Sequence, residues 1–151
     1  MITTARLAAA TPLVQAALRI MSGLLFLEHG TMKLFHFPAG GPGGPGGPGG
    51  PGMGPPPGGP GGGLPTFLLI AALLEIVGGA LVTAGFMTRL AAFILSGEMA
   101  VGYFMAHAPR GFFPATNGGD AAVLFSFIFL FFAAAGPGAF ALDNLRNKPA
   151  A

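Results

Sequence analysis

Several of the few charged residues in this chain sit where charge is costly. Charged residues make up 8% of the 151 positions, yet Arg19, Glu75 and Glu98 each lie inside a stretch that is otherwise apolar. An ionised side chain at the centre of a bilayer costs at least about 2.5–3.5 kcal/mol, so such groups face a protein interior and find partners. Arg19 lies roughly 10 Å along the first apolar stretch at about 1.5 Å of helical rise per residue. Glu75 and Glu98 fall near the middle of the second and third. The long Arg19 side chain is expected to reach one of the two carboxylates. The pairing would be either an ion pair that fixes helix register or a group that handles protons or ligand.

A second set gathers toward the far ends of the same stretches. Glu28, His29 and Lys33 end the first, with His29 and Lys33 four apart on one helical face. His107 and Arg110 end the third. Asn117 and Asp120 begin the fourth, where Asp120 also suits a helix N-terminus. Antiparallel packing would bring these ends together as a polar pocket at the outer interface, able to hydrogen-bond a quinone carbonyl, hold an anion or pass protons. The plainer reading is side chains reaching for the interface plus helix capping, with no ligand. Two histidines and two acids could also bind metal, but no HxxxH or HxxE spacing occurs, and no metal is expected.

The elements that must position these groups follow from composition. Hydrophobic residues form 52% of the chain, whereas a soluble domain carries about 25% charged residues to wet its surface. Lipid is the solvent that fits. About 20 mostly apolar residues cross the hydrocarbon core, and four stretches qualify: Pro12 to Phe35, Pro65 to Phe86, Thr88 to His107 and Gly119 to Ala135, the last stopped by Gly136-Pro137-Gly138 and followed by an apolar tail to Leu142. The second and third are so close that they must form a tight hairpin. The expected fold is an all-α four-helix transmembrane bundle formed by a single domain over residues 1–151. The phenylalanine-rich fourth stretch, with Phe125, Phe127, Phe129, Phe131 and Phe132, reads as lipid-facing or interhelical packing. Gly78-Gly79, Gly97 and Gly102 lie near the two glutamates, where small residues allow close helix approach in lipid.

Residues 39–63 are almost wholly glycine and proline, and read as an extramembrane loop with extended or flexible character. The first ten residues resemble a signal peptide faintly, but the following stretch is long and carries Arg19 and Glu28, so it reads as a retained span. Arg6, Arg89, Arg146 and Lys148 fall on one face and only Lys33 and Arg110 on the other. By the positive-inside rule both termini are cytoplasmic and the Gly/Pro loop lies outside. The seven basic residues form no patch, which argues against nucleic acid. There is no cysteine, which excludes disulfides, CxxC chemistry and thiolate metal sites.

The run LRIMSGLLFLEHGTMKLF, Leu18 to Phe35, resembles the opening segment of DoxX-family membrane proteins. The segments Leu73 to Leu95 and Gly97 to Phe125, and the closing AAAGPGAFALD, Ala133 to Asp143, are similar to the rest of the family pattern. The likeness covers nearly the whole chain apart from the Gly/Pro insertion. Family motif positions present here are Arg19, Glu28, His29, Gly30, Lys33, Glu75, Gly78, Gly79, Arg89, Glu98, His107, Pro114, Asn117 and Gly118. The resemblance implies a four-helix protein of a bacterial-type inner membrane. It also implies association with quinol- or quinone-linked oxidoreductases or with oxidoreductase complexes of oxidative-stress defence, and it carries no settled catalytic assignment.

Three functions are therefore expected to compete. The first is an oxidoreductase-associated subunit with quinone, not covalently bound, near Glu28, His29, Lys33, His107 and Arg110. In that case electrons come from partner subunits, because nothing in the chain obviously binds haem, flavin or iron–sulfur, and His36 lies at the loop edge. The second is a non-enzymatic scaffold for a partner complex. The third is a small transporter or proton pathway built on Glu75 and Glu98, which would need a second copy of the chain.

Overall fold

The structure, a computed structural model, describes residues 3–35, 37–38 and 66–146. The loop expected over residues 39–63 lies outside the described residues, as do His36 and Lys148. The elements in chain order are α1 (Thr4–Phe35), α2 (Thr66–Ala84), α3 (Thr88–Gly102), a short α4 (Pro114–Asn117), α5 (Asp120–Ala135) and a terminal turn α6 (Leu142–Arg146). Beyond α3 the helix widens into a π turn over Tyr103–His107 and tightens to a 3-10 turn over Ala108–Arg110. The described residues contain no strand. Thr4–Phe35, Thr66–Ala84 and Thr88–Arg110 are each long and apolar enough to cross a membrane, and α5 is a shorter apolar helix of 16 residues. Together these helices form an all-α transmembrane bundle.

The first helix begins earlier than expected. Pro12 lies inside α1, which starts at Thr4. Proline fixes a helix-compatible φ and removes one N–H, and the alanine-rich turn before it has the highest helix propensity. The Pro12 carbonyl also accepts from the Ala139 N–H at 2.9 Å, so the site is tied into the tertiary structure. At 32 residues and about 1.5 Å each, α1 is longer than a bilayer is thick, and its first turns are exposed.

The expected hairpin is present and its chemistry is local. The helix α2 ends in a Schellman turn: the Phe86 N–H reaches back to the Leu81 carbonyl and the Gly85 N–H to that of Val82. Gly85 takes the left-handed conformation this turn requires, at φ 68°. Met87 then adopts φ 49°, and α3 returns antiparallel.

Packing pairs α1 with α2 and α3 with α5. The first pair meets at backbone contact. A Cβ on Gly23 would sit 2.9 Å from the Gly79 carbonyl oxygen, and one on Gly30 would sit 2.9 Å from that of Ala72. The buried core joins Phe26 of α1, Val82 of α2, Ala91, Ala92 and Leu95 of α3, and Phe129 and Phe132 of α5. Phe26 meets Phe129 edge-on with ring centroids 4.8 Å apart, a favoured aromatic geometry. The phenylalanines of α5 thus divide between roles: Phe129 and Phe132 are buried, while Phe127 and Phe131 face outward.

Candidate functional site

The bundle has two chemically different ends. At the end where the described residues begin and finish, Arg19 is fully buried. Its guanidinium donates from all three nitrogens to backbone carbonyls: Nε to Pro137 at 2.9 Å, one terminal nitrogen to Val82 and Thr83 at 2.7 and 2.6 Å, the other to Ala139 and Phe140 at 3.2 and 2.9 Å. The expected pairing of Arg19 with Glu75 or Glu98 is therefore corrected. Val82 and Thr83 lie in the last turn of α2, whose free carbonyls and dipole attract a cation. The Gly136-Pro137-Gly138 break turns the chain back so that its carbonyls complete the set. The acid within electrostatic range of Arg19 is Asp143.

Three further contacts close this end. Arg89 donates to the Ala133 and Ala134 carbonyls at the end of α5, and Gln15 to that of Gly136 at 2.7 Å. Asp143 accepts from the Met87 and Thr88 N–H groups at 2.8 and 2.9 Å, capping the N-terminus of α3 from 55 residues away. Partial burial pushes the Asp143 carboxyl up, but those two N–H donors and the charge of Arg146 outweigh it and hold the group below its ordinary value.

Toward the opposite end the ionisable groups are not saturated. Glu75, midway along α2 and 1% exposed, forms an ion pair with Lys33. Gly30 opposes Ala72 and Ile76, so Lys33 lies nearly a turn further out and reaches inward, against the usual outward reach of a lysine. Glu98 of α3 is close enough to interact electrostatically with both Glu75 and Lys33. Oε2 of Glu75 and both carboxylate oxygens of Glu98 are buried with no hydrogen-bond partner among the described residues. His29 faces the same group, within electrostatic range of Glu75 and edge-on to Phe125. Its Nδ1 lies 2.8 Å from the Leu25 carbonyl. A carbonyl only accepts, so Nδ1 carries a proton and donates it there.

A separate polar knot sits on the π turn. His107 Nδ1 donates to the Asn117 carbonyl at 3.2 Å, and its ring stacks on Tyr103. The buried Asn117 side chain donates to the Tyr103 hydroxyl and the Gly111 carbonyl and accepts from the Gly119 N–H. Widened π turns of this kind recur at functional sites.

The expected outer pocket thus divides. His29 and Lys33 turn inward to join Glu75 and Glu98, while His107 and Asn117 form the knot with Tyr103. Glu28, Arg110 and Asp120 are exposed, and among the described residues their side chains make no hydrogen bond or ion pair to the others. No grouping of three His, Asp or Glu side chains suited to a metal ion occurs among the described residues. Sequence reasoning missed Tyr103, although it is the sole tyrosine and precedes His107 by four residues on one helical face. It also missed Asp143 and Gln15, whose partners lie far away in the chain.

Apolar helices closed around a handful of inward-facing ionisable groups define a small polytopic membrane protein of the helical-bundle class. The DoxX family model matches residues 14–108, spanning Arg19, Lys33, Glu75, Glu98 and His107, and the chain belongs to the DoxX family. It is also similar to a protein of Haemophilus influenzae described as uncharacterized. The two are 45% identical over 139 residues, covering 88% of this chain and 90% of that one. No solved structure matches the chain.

Proposed function

We propose that the chain is the membrane-embedded subunit of a quinone-linked oxidoreductase, and that a quinone headgroup enters from the outer half of the bilayer to meet the Lys33–Glu75–Glu98 cluster. The observation behind this reading is the set of buried carboxylate oxygens without partners beside a lysine, in a bundle otherwise apolar. Polar groups held in hydrocarbon at such cost mark ligand or proton sites by default. A quinone takes two electrons and two protons on reduction. With no cysteine to hold an iron–sulfur cluster, the electrons come from a partner subunit, and this chain contributes binding and proton transfer through Glu98 and His29. The excess of basic residues at the terminal end supports placing that end in the cytoplasm, in an inner membrane.

The test is direct. The protein is purified in detergent, its bound lipid is extracted and assayed for quinone, and quinol-dependent respiration is measured in a strain lacking the chain. Quinone that co-purifies with the wild type and is lost in Glu98→Gln supports the reading. Quinone-free protein together with unchanged respiration rejects it.

A scaffold role has one specific observation in its favour: Arg19 and Lys33 are both bonded within the bundle and serve helix register as they stand. Replacing His29 and His107 with alanine separates the two. Function lost at normal abundance favours the site, and function retained favours the scaffold.

A further inference from the structure

The charge count of the buried cluster does not balance. Lys33 from α1 offsets Glu75 from α2, which leaves Glu98 from α3 as a second acid with both oxygens buried and unpartnered. No other ionisable side chain in the packed helices compensates it. Glu75 is the sole ionisable residue of α2, and Arg89 of α3 is engaged at the opposite end of the bundle. The only ionisable residue of α5 is Asp120, exposed at its start. His29 of α1 donates its Nδ1 proton to the Leu25 carbonyl and lies within electrostatic range of Glu75, while the charged groups in range of Glu98 are Glu75 and Lys33. An ionised carboxylate with no partner in an apolar interior is far costlier than the neutral acid.

We infer that the Lys33–Glu75–Glu98 cluster is a binding site for one proton, carried by Glu98 while Lys33 holds Glu75, so that the buried group is electrically neutral. The free Oε2 of Glu75, itself 1% exposed, is the acceptor available to that proton, and Lys33 lies within range of both acids. The proton and the lysine can therefore exchange carboxylates with no change in net charge. Coupled acids of this kind titrate as a unit rather than singly.

The inference goes beyond the quinone-linked reading and holds whichever ligand the site takes.

Infrared spectroscopy of the full chain in detergent tests it, through the C=O stretch of a protonated carboxylic acid that shifts in D2O. The chain has only five acidic side chains, and Glu28, Asp120 and Asp143 lie outside the apolar interior. At neutral pH the wild type shows one such band. Glu98→Gln removes it. Glu75→Gln removes it as well, because Lys33 is then free to pair with an ionised Glu98. Lys33→Met doubles it, because both acids must then be neutral. His29→Gln leaves it in place.

Absence of the band from the wild type overturns the inference without recourse to any variant. So does a band that survives Glu75→Gln, or one that Lys33→Met fails to raise. Quinone content is assayed in the same preparations. A band without quinone leaves the proton site standing and removes the redox reading, while quinone without the band does the reverse.

Discussion

Arg19 is held as few arginines are, with every nitrogen of its guanidinium donating and every acceptor a backbone carbonyl. Truncating it strands those carbonyls and removes the cation that faces the end of α2. Breaking a buried charged network of this kind costs about 3–5 kcal/mol, a large share of the ~5–15 kcal/mol that holds a domain folded. Arg19→Met should therefore unfold at much lower denaturant in detergent than the wild type. Arg19→Lys should fall between them, since an ammonium offers three donors in place of a planar fork of five. If Arg19→Met is as stable as the wild type, the guanidinium is not what ties the terminal end together. That Arg19 must be buried and partnered was legible from its place in an apolar run. Its partners were not, because backbone carbonyls carry no sequence signature and sequence pattern directs attention to acids. The same limit applies to Lys33. Its spacing from His29 placed the two on one helical face lining a pocket at the outer interface, and the reach to Glu75 depends on where Gly30 lets α1 and α2 meet.

Whole helices were more legible than their ends. The length of each apolar run located α2 and α5 to within about two residues at both ends and α3 at its start, the expected end at His107 taking in the π turn, and Gly136-Pro137-Gly138 stopped α5 as expected. The start of α1 was misplaced because an internal proline reads as an N-terminus unless tertiary contacts support it. The tail after α5 folds back against the bundle and caps α3 through Asp143. That cap has a pH signature. The folded carboxyl sits below its ordinary value, so its contribution is complete above the unfolded value of about 3.9 and is lost as pH falls through the folded one. Asp143→Asn keeps a single acceptor oxygen for two N–H donors and should cost about 0.5–2 kcal/mol at neutral pH, the range for losing a helix cap. The gap between variant and wild type should close in acid. Unfolding curves for both proteins across that range measure it, and a gap independent of pH would contradict the cap. The α1–α2 contact makes a steric prediction instead. A Cβ on Gly79 would lie 2.9 Å from the Gly23 carbonyl oxygen and from the Leu27 nitrogen, backbone atoms that cannot step aside. Gly79→Leu should separate the helices and, with them, Lys33 from Glu75. Loss of folded protein on detergent size exclusion is the expected outcome, and normal yield with an intact ion pair would show that the helices do not meet there.

Across the whole molecule, a terminal end dense with arginine–carbonyl contacts and a distant cap contrasts with an opposite half whose acids keep unpaired oxygens. This division depends on lipid being the surrounding solvent, and the outward face of α5 offers a test. Leu124, Phe127 and Phe131 recur at helical spacing and are exposed, Phe127 at 67%, and Phe127 lies near the middle of the 16-residue helix. On a water-soluble protein a lysine at such a position would be close to neutral, within about 0.5 kcal/mol. Facing acyl chains at mid-depth, the same lysine costs about 2.5–3.5 kcal/mol, offset in part only if its ammonium can reach a headgroup. Phe127→Lys should therefore lower the amount of folded protein in the membrane fraction several-fold, while Phe127→Leu, equally small but apolar, should not. Quantitative blotting of membrane and soluble fractions reads the difference. Equal membrane abundance for the two variants would mean that this face meets water or another protein rather than lipid. The inward turn of Lys33, Glu75 and Glu98 would then lose its reason, since charges are driven to the centre of this bundle only when its outside is hydrocarbon.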